Sequence, residues 1–357
     1  MKNKKIKLLI GVSLLISIAS FGIIYGINTK IIHTIVVGYR VHVESDYAYV
    51  SHNDGIEIIN IEDKDRPYVV GNVDTSEVAF GIDKDGDLLY TGSETNGLVI
   101  ANVSDPRTPI IYSETSYNGA PFNLAFQDSL VFLLLTSNTV EIVNVSNPRA
   151  PYHVATYASP QAYDYRDLVV SGEILFIADA GRGVEIVNIS QPTNPILLNT
   201  ILTSAPIAIF KHENLLFLGC HGVGVKWYDV SNLDSPVLKG AYQELYGEAY
   251  GVWGNTTHLY VADLQRGTYC LNITEGSPVS KMYSYSEAAP HDITGGENYV
   301  YLADQDFRLK IFDSHLTCLY NGHKRGYGIP IGLTIVTLGI AMYAIVKTKR
   351  EAISVKG

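Results

Sequence analysis

Seven residues able to do polar chemistry, Arg40, Asn123, Arg166, Asp167, Tyr250, His291 and Asp292, fall at one of two adjacent positions of a unit that recurs about every 42 residues along this 357-residue chain. Three kinds of chemistry are open to them. The carboxylates of Asp167 and Asp292, with the Asn123 carbonyl, offer the hard oxygen ligands that Ca²⁺ collects. Arg40 and Arg166 would instead pair with the two aspartates and hold neighbouring units in register, the plainer reading, because buried polar groups need partners whatever a protein does. His291 with Asp292 or Asp167 would supply an acid and a base for a lyase or hydrolase. Other constellations are thin. Asp83-Lys-Asp-Gly-Asp87 opens like a calcium loop but lacks the distal Glu and sits between two strand-like runs, which favours a tight hairpin. His221 adjoins Cys220 without a third group to orient the pair, and the chain has no Gly-x-Ser-x-Gly, His-Glu-x-x-His or phosphate-binding glycine loop.

Those residues can share a site only if the repeat brings them to one place. Each repeat ends in an aliphatic run, then Asn or Asp, an aliphatic residue, usually Ser or Thr, and often a proline a few residues on. The Asn or Asp falls at Asn60, Asn102, Asn144, Asn188, Asp229, Asn272 and Asp313, at intervals of 42, 42, 44, 41, 43 and 41 residues. The clearest copy has apolar runs at 165–171, 174–179, 183–188 and 196–200, separated by Gly, Asn, Asp and Pro, with no stretch long enough for a helix. Each unit is therefore four strands, a to d. Pro195 can open strand d only if that strand is an edge, and Pro67, Pro109, Pro151 and Pro236 follow the same logic. A sheet of this size cannot bury both faces alone, so the units must stack. The spacing predicts an all-β, seven-bladed β-propeller of four-stranded antiparallel blades, in preference to a linear β-solenoid, whose coils are usually shorter. Strand a would line the central channel. The b–c turns on the same face carry His52, Ser93, Asp179, Cys220, Asp263 and Asp304, where Asp ordinarily caps its own backbone. Either 34–37 or 316–320 could supply the outer strand of the last blade.

The phrases Gly183-Val-Glu-Ile-Val-Asn-Ile-Ser and Thr139-Val-Glu-Ile-Val-Asn-Val-Ser, with Leu-Phe-Ile-Ala-Asp ending at Asp179 and Leu-Tyr-Val-Ala-Asp ending at Asp263, resemble the LVIVD repeat of bacterial and archaeal surface proteins. The resemblance covers about residues 38–322. Trp227, Cys270 and Phe312 depart from its strand-c pattern in the last three copies. It implies a propeller used for surface binding and names no activity.

The ends of the chain differ from its middle. Residues 6–27 are nearly all apolar or small, with Lys2, Lys4, Lys5 and Lys7 at their start, and 328–346 are apolar with Lys347, Lys349 and Arg350 behind them. Both are long enough to span a bilayer, and the basic flanks place both termini in the cytoplasm. No Ala-x-Ala site marks the first as a cleaved signal. The expected organisation is a basic flank and transmembrane signal anchor over 1–30, an extracytoplasmic propeller over 31–323, and a second transmembrane helix with a basic tail over 324–357. Residues 31–322 hold 15 Lys and Arg against 35 Asp and Glu, a net charge of −20 that disfavours nucleic acid. Cys220, Cys270 and Cys318 have no metal-like spacing, and a Cys270–Cys318 bridge is one option. Asn-x-Ser/Thr sequons begin at Asn102, Asn144, Asn188, Asn255 and Asn272, four of them inside the repeat phrase, where turn formation alone accounts for Asn and Ser. The 25 tyrosines suit both packing and a contact-rich surface for protein or glycan. The expected function is non-catalytic binding or scaffolding at the cell surface, with a propeller enzyme or a structural envelope component as alternatives. Ca²⁺ at Asp167 and Asp292 is the one cofactor considered.

Overall fold

The structure is a computed structural model that describes residues 39–243, 247–286, 289–296, 298–304, 308–316 and 318–320, all in the unit that ends at Tyr320. The two apolar segments, 6–27 and 328–346, lie outside the described residues. So does the candidate outer strand at 34–37.

The described residues form seven four-stranded sheets, each antiparallel and each in chain order a-b-c-d. Blade four shows why. Strand a (Tyr165–Ser171) pairs with strand b (Ile174–Asp179), b with c (Gly183–Asn188), and c with d (Ile196–Leu202). Leu175, Phe176, Ile177 and Ala178 are buried on both faces of the sheet, as a central strand packed between neighbouring blades requires. Strand d is the rim: Ile196 and Leu198 are about half exposed, and Pro195 precedes the strand where no ladder partner is lost.

The repeat phrase is a turn device. Asn188 Oδ1 accepts the Ser190 N–H at 2.8 Å, Asn144 accepts both the N–H and Oγ–H of Ser146, and Asn102 does the same for Ser104. The next aliphatic residue ties the c–d loop to the a–b hairpin of its own blade, as in Ile189 N–H to Glu173 O at 2.8 Å and Val145 N–H to Ser129 O at 2.9 Å. Asn and Ser recur because these loops need local side-chain acceptors and donors. Asp83–Asp87 is the expected hairpin: Asp85 pairs with Leu88 around Gly86 and Asp87.

The last blade is complete in itself, with Pro290–Gly295, Tyr299–Asp304, Arg308–Asp313 and Cys318–Tyr320. Its outer strand comes from the C-terminal side. Closure therefore rests on packing: Val41, Ala48 and Val50 of blade one share a core with Tyr301, Ala303, Leu309 and Ile311 of blade seven. Cys270 is a free, buried thiol, so no bridge joins it to Cys318.

Candidate functional site

Strand a of nearly every blade carries a β-bulge at the candidate position. Register shifts leave Gly81, Phe122, Arg166, Ile207, Tyr250 and His291 as extra residues in blades two to seven. In blade one, Tyr39 and Arg40 both bond to Ser51, giving the same two-against-one pairing. A bulge re-aims side chains and increases local twist. Two successive side chains are thereby offered to the channel mouth and form two tiers.

The lower tier is an ion-paired floor. Arg40 Nη2 lies 3.5 Å from Asp167 Oδ1, and its Nη1 lies 3.5 Å from Asp292 Oδ1. Asn123 donates its amide to Asp167, so blades one, three, four and seven meet in one network. The remaining oxygens accept backbone N–H groups of adjoining blades, Ile209 on Asp167 and Val41 on Asp292, each at 3.0 Å. Burial pushes both carboxyls above the usual aspartate range, against the opposing pull of Arg40 and the N–H donors. Burial also disfavours the charged guanidinium, but Asp167 and Asp292 together hold its affinity for the proton above the ordinary value.

The upper tier is an aromatic collar. Phe122 packs on Phe80 at 6.3 Å between centroids, Phe80 on Tyr39 at 5.5 Å, Tyr39 on His291 at 5.7 Å and His291 on Tyr250 at 5.6 Å. The chain of rings runs over blades three, two, one, seven and six. Arg166, Ile207 and His221 complete the wall of a cup of about 460 Å³, large enough for a small ligand or the tip of a larger one. Burial and the Arg40 charge push the His291 imidazole below its usual range, which leaves it neutral near pH 7.

The structure thus brings Arg40, Asn123, Asp167 and Asp292 together in the floor, and Tyr250, His291 and Arg166 in the wall. Two expected pairings change. Arg40 alone serves both aspartates, whereas Arg166 turns to Asp164, Nη2 to Oδ2 at 2.8 Å. The bulge sets Arg166 in the upper tier, away from the floor. Asp167 and Asp292 are surrounded by N–H donors, the reverse of what a cation needs, and among the described residues no cluster of three or more His, Cys, Asp or Glu has metal-site geometry. Asp179 and Asp263 cap their own b–c turns as expected, accepting the N–H of Gly181 and those of Gln265 and Arg266; Asp179 also accepts the N–H groups of Tyr163 and Asp164 in the preceding d–a loop, and Asp304 accepts that of Ala289 and pairs with Lys310 Nζ at 3.1 Å. Phe80, Phe122 and Asp164, and Tyr39 with them, line the cup and add to the seven polar residues expected from the repeat. The first two were visible as the position one step before the polar ring, aromatic in most blades; Asp164, in an irregular loop, left no signal.

Four stretches, residues 39–75, 81–116, 164–203 and 291–314, match the LVIVD repeat, and they fall on blades one, two, four and seven. A search of curated proteins finds no match. Among solved structures, the computationally designed Ika8 protein is similar at 12% identity and a TM-score of 0.62, covering 81% of this chain and 88% of its own. The β-propeller domain of Cps50 (Swd1) from Myceliophteria thermophila is similar at 13% identity and a TM-score of 0.62, covering 74% of this chain and 92% of its own. Likeness at this identity is one of fold alone. With seven blades in the ring and four of them matched by the repeat, the chain is an LVIVD-repeat β-propeller.

Proposed function

We propose that this chain is a membrane-anchored, extracytoplasmic binding module, without chemistry of its own, that takes a protein or glycan partner into the aromatic-walled cup at the channel mouth. The observation that carries the reading is the collar of Tyr39, Phe80, Phe122, Tyr250 and His291 around a cavity of about 460 Å³. Flat rings with polar tips give contact area at low entropic cost, as binding surfaces require. An acid–base pair would need His291 to meet Asp292 or Asp167 inside the cup. The two aspartates are engaged in the floor with Arg40 and backbone N–H groups, which favours binding over turnover. The apolar segments 6–27 and 328–346 with their basic flanks support the anchoring, and the net charge of −20 over 31–322 supports a basic or neutral partner over nucleic acid.

The test is a glycan and peptide array probed with the detergent-solubilised full chain, followed by product analysis of every probe bound. Retention of a probe in unaltered form is expected. Chemical conversion of the probe would favour the enzyme.

A further inference from the structure

We infer that the propeller carries a second binding site, on the face opposite the cup, that takes an uncharged mono- or disaccharide. This site goes beyond the cup and does not depend on it. Strand a leaves the cup face and strand d returns to it, so the a–b hairpins and c–d loops lie on the far face. There blades five, six and seven enclose a cavity of about 480 Å³. Trp253 and the hairpin from Asn255 to His258 in blade six stand between His212, at the end of strand a of blade five, and His315, in the c–d loop of blade seven.

The repeat does not require these residues. His258 opens strand b, where the other six blades have Tyr, Leu or Ile, and His315 replaces the Ser, Thr or Glu of the repeat phrase. Trp253 faces the third residue of strand b, a place held by His42, Asp83, Ala125, Val169 and Thr294 in blades one to four and seven. Tyr283, opposite Cys270, stands where blades one to five have Gly71, Ser113, Ala155, Asn199 and Gly240. Gly295 departs the other way: blades one to five carry a side chain at its place, but a Cβ here would come within 2.8 Å of the Trp253 ring. Other blades pack without any of these changes. Five departures at five different repeat positions nevertheless meet around one cavity, which packing alone does not explain.

Their chemistry selects the ligand. Trp253 lies 6.4 Å from Phe210 and 5.5 Å from Tyr260 between centroids, and Tyr283 meets His315 edge-on at 5.0 Å. Thr257 donates its hydroxyl to Asn255 Oδ1 at 2.9 Å, so its oxygen accepts from His258 Nδ1 at 2.8 Å. That sets the tautomer. His258 Nε2 is left as an acceptor, and Asn255, with its oxygen engaged, has its amide nitrogen left to donate. No Lys, Arg, Asp or Glu is among the described residues that line the cavity. A plain hydrocarbon would leave the imidazoles and the amide unpaired, and a charged ligand would find no counter-charge. A neutral sugar has apolar ring faces for the aromatic side chains and hydroxyls that both donate and accept.

Trp253 reports on this site alone, because the other tryptophan, Trp227, is buried and the cup has none. The test is tryptophan emission of the full chain, held in a detergent without a sugar headgroup, during titration with glucose, galactose, N-acetylglucosamine, cellobiose and chitobiose. At least one sugar is expected to change the emission saturably, and Trp253→Phe to abolish the change. His258→Leu, which restores the residue of blades two, three and five, is expected to weaken that affinity about tenfold. His315→Ser, the residue of blades two to five, is expected to weaken it likewise and serves if His258→Leu does not fold. No saturable change with any of the five sugars, or unchanged affinity in the folded histidine variants, overturns the inference. A change with glucuronic acid and none of the five would mark an anion site and overturn it too. A sugar held in the cup leaves the emission unaltered, so either site can fail without the other.

Discussion

Arg40 of blade one holds Asp167 of blade four across the channel, Nη2 to Oδ1 at 3.5 Å, and with its other terminal nitrogen holds Asp292 of blade seven. One guanidinium thus ties distant points of the ring. Removing it leaves two buried carboxylates without their counter-charge. Arg40→Met should destabilise the propeller by about 3 kcal/mol, read as a lowered midpoint in denaturant melts. Adding Asp167→Asn and Asp292→Asn should return part of that loss, since the uncompensated charge is then gone. A single variant indistinguishable from wild type would remove the network from the account.

The pH dependence follows from the same groups. Burial raises both aspartates above their unfolded value, so the folded state holds protons that the unfolded state releases. Their contribution is fully present below the unfolded pKa of about 3.9 and is lost as pH rises through the folded value. Asp292→Asn should therefore flatten the fall in melting temperature above about pH 4 relative to wild type. A steeper fall in the variant would reverse the assigned sign.

Glu185 joins blades three and four through Oε2, which accepts the hydroxyls of Tyr157 at 2.8 Å and Tyr165 at 2.6 Å, all three buried. Tyr165→Phe should cost about 1–3 kcal/mol in chemical denaturation, the usual cost of depriving a buried acceptor of one partner. Tyr152→Phe, on the exposed rim, is the control and should change little.

Gly183 opens strand c of blade four at φ +140, where a Cβ would stand 2.0 Å from Ile201 O; Gly55, Gly97 and Gly267 stand equally close to strand d in their own blades. Gly172, in a hairpin at φ +60, has open space around it. Gly183→Ala should cost well over 2 kcal/mol because backbone must move, and Gly172→Ala about 1–2 kcal/mol from the left-handed conformation alone. Equal effects in thermal melts would contradict the close approach.

Much of this fold was legible because its causes are local. The Asn188 phrase is a side-chain-capped turn, Pro195 marks an edge, and the unbroken apolar run of strand b marks burial on both faces, so spacing alone led to seven blades. The ring positions were also legible, since aligning repeats by strand b put Arg40, Asn123, Asp167 and Asp292 in one tier. Their pairing was not. Which blade Arg40 faces depends on how the ring closes, and whether Arg166 points to the floor or the wall depends on a bulge that repeat spacing does not encode. The aromatic position one step before the polar ring was legible at Phe80 and Phe122, but that their rings meet Tyr39 and His291 in one collar was not, because those contacts exist only once the blades are set around a common axis.

The central claim is that the cup binds. Its most direct test is calorimetric titration of a probe retained on the array into wild type and into the Phe80→Ala and Tyr250→Ala double variant. Loss of two ring contacts, each worth about 0.5–1.5 kcal/mol beyond area, predicts an affinity loss of about tenfold or more with little change in melting temperature. Unchanged affinity in a folded double variant would contradict the account and place binding elsewhere on the propeller.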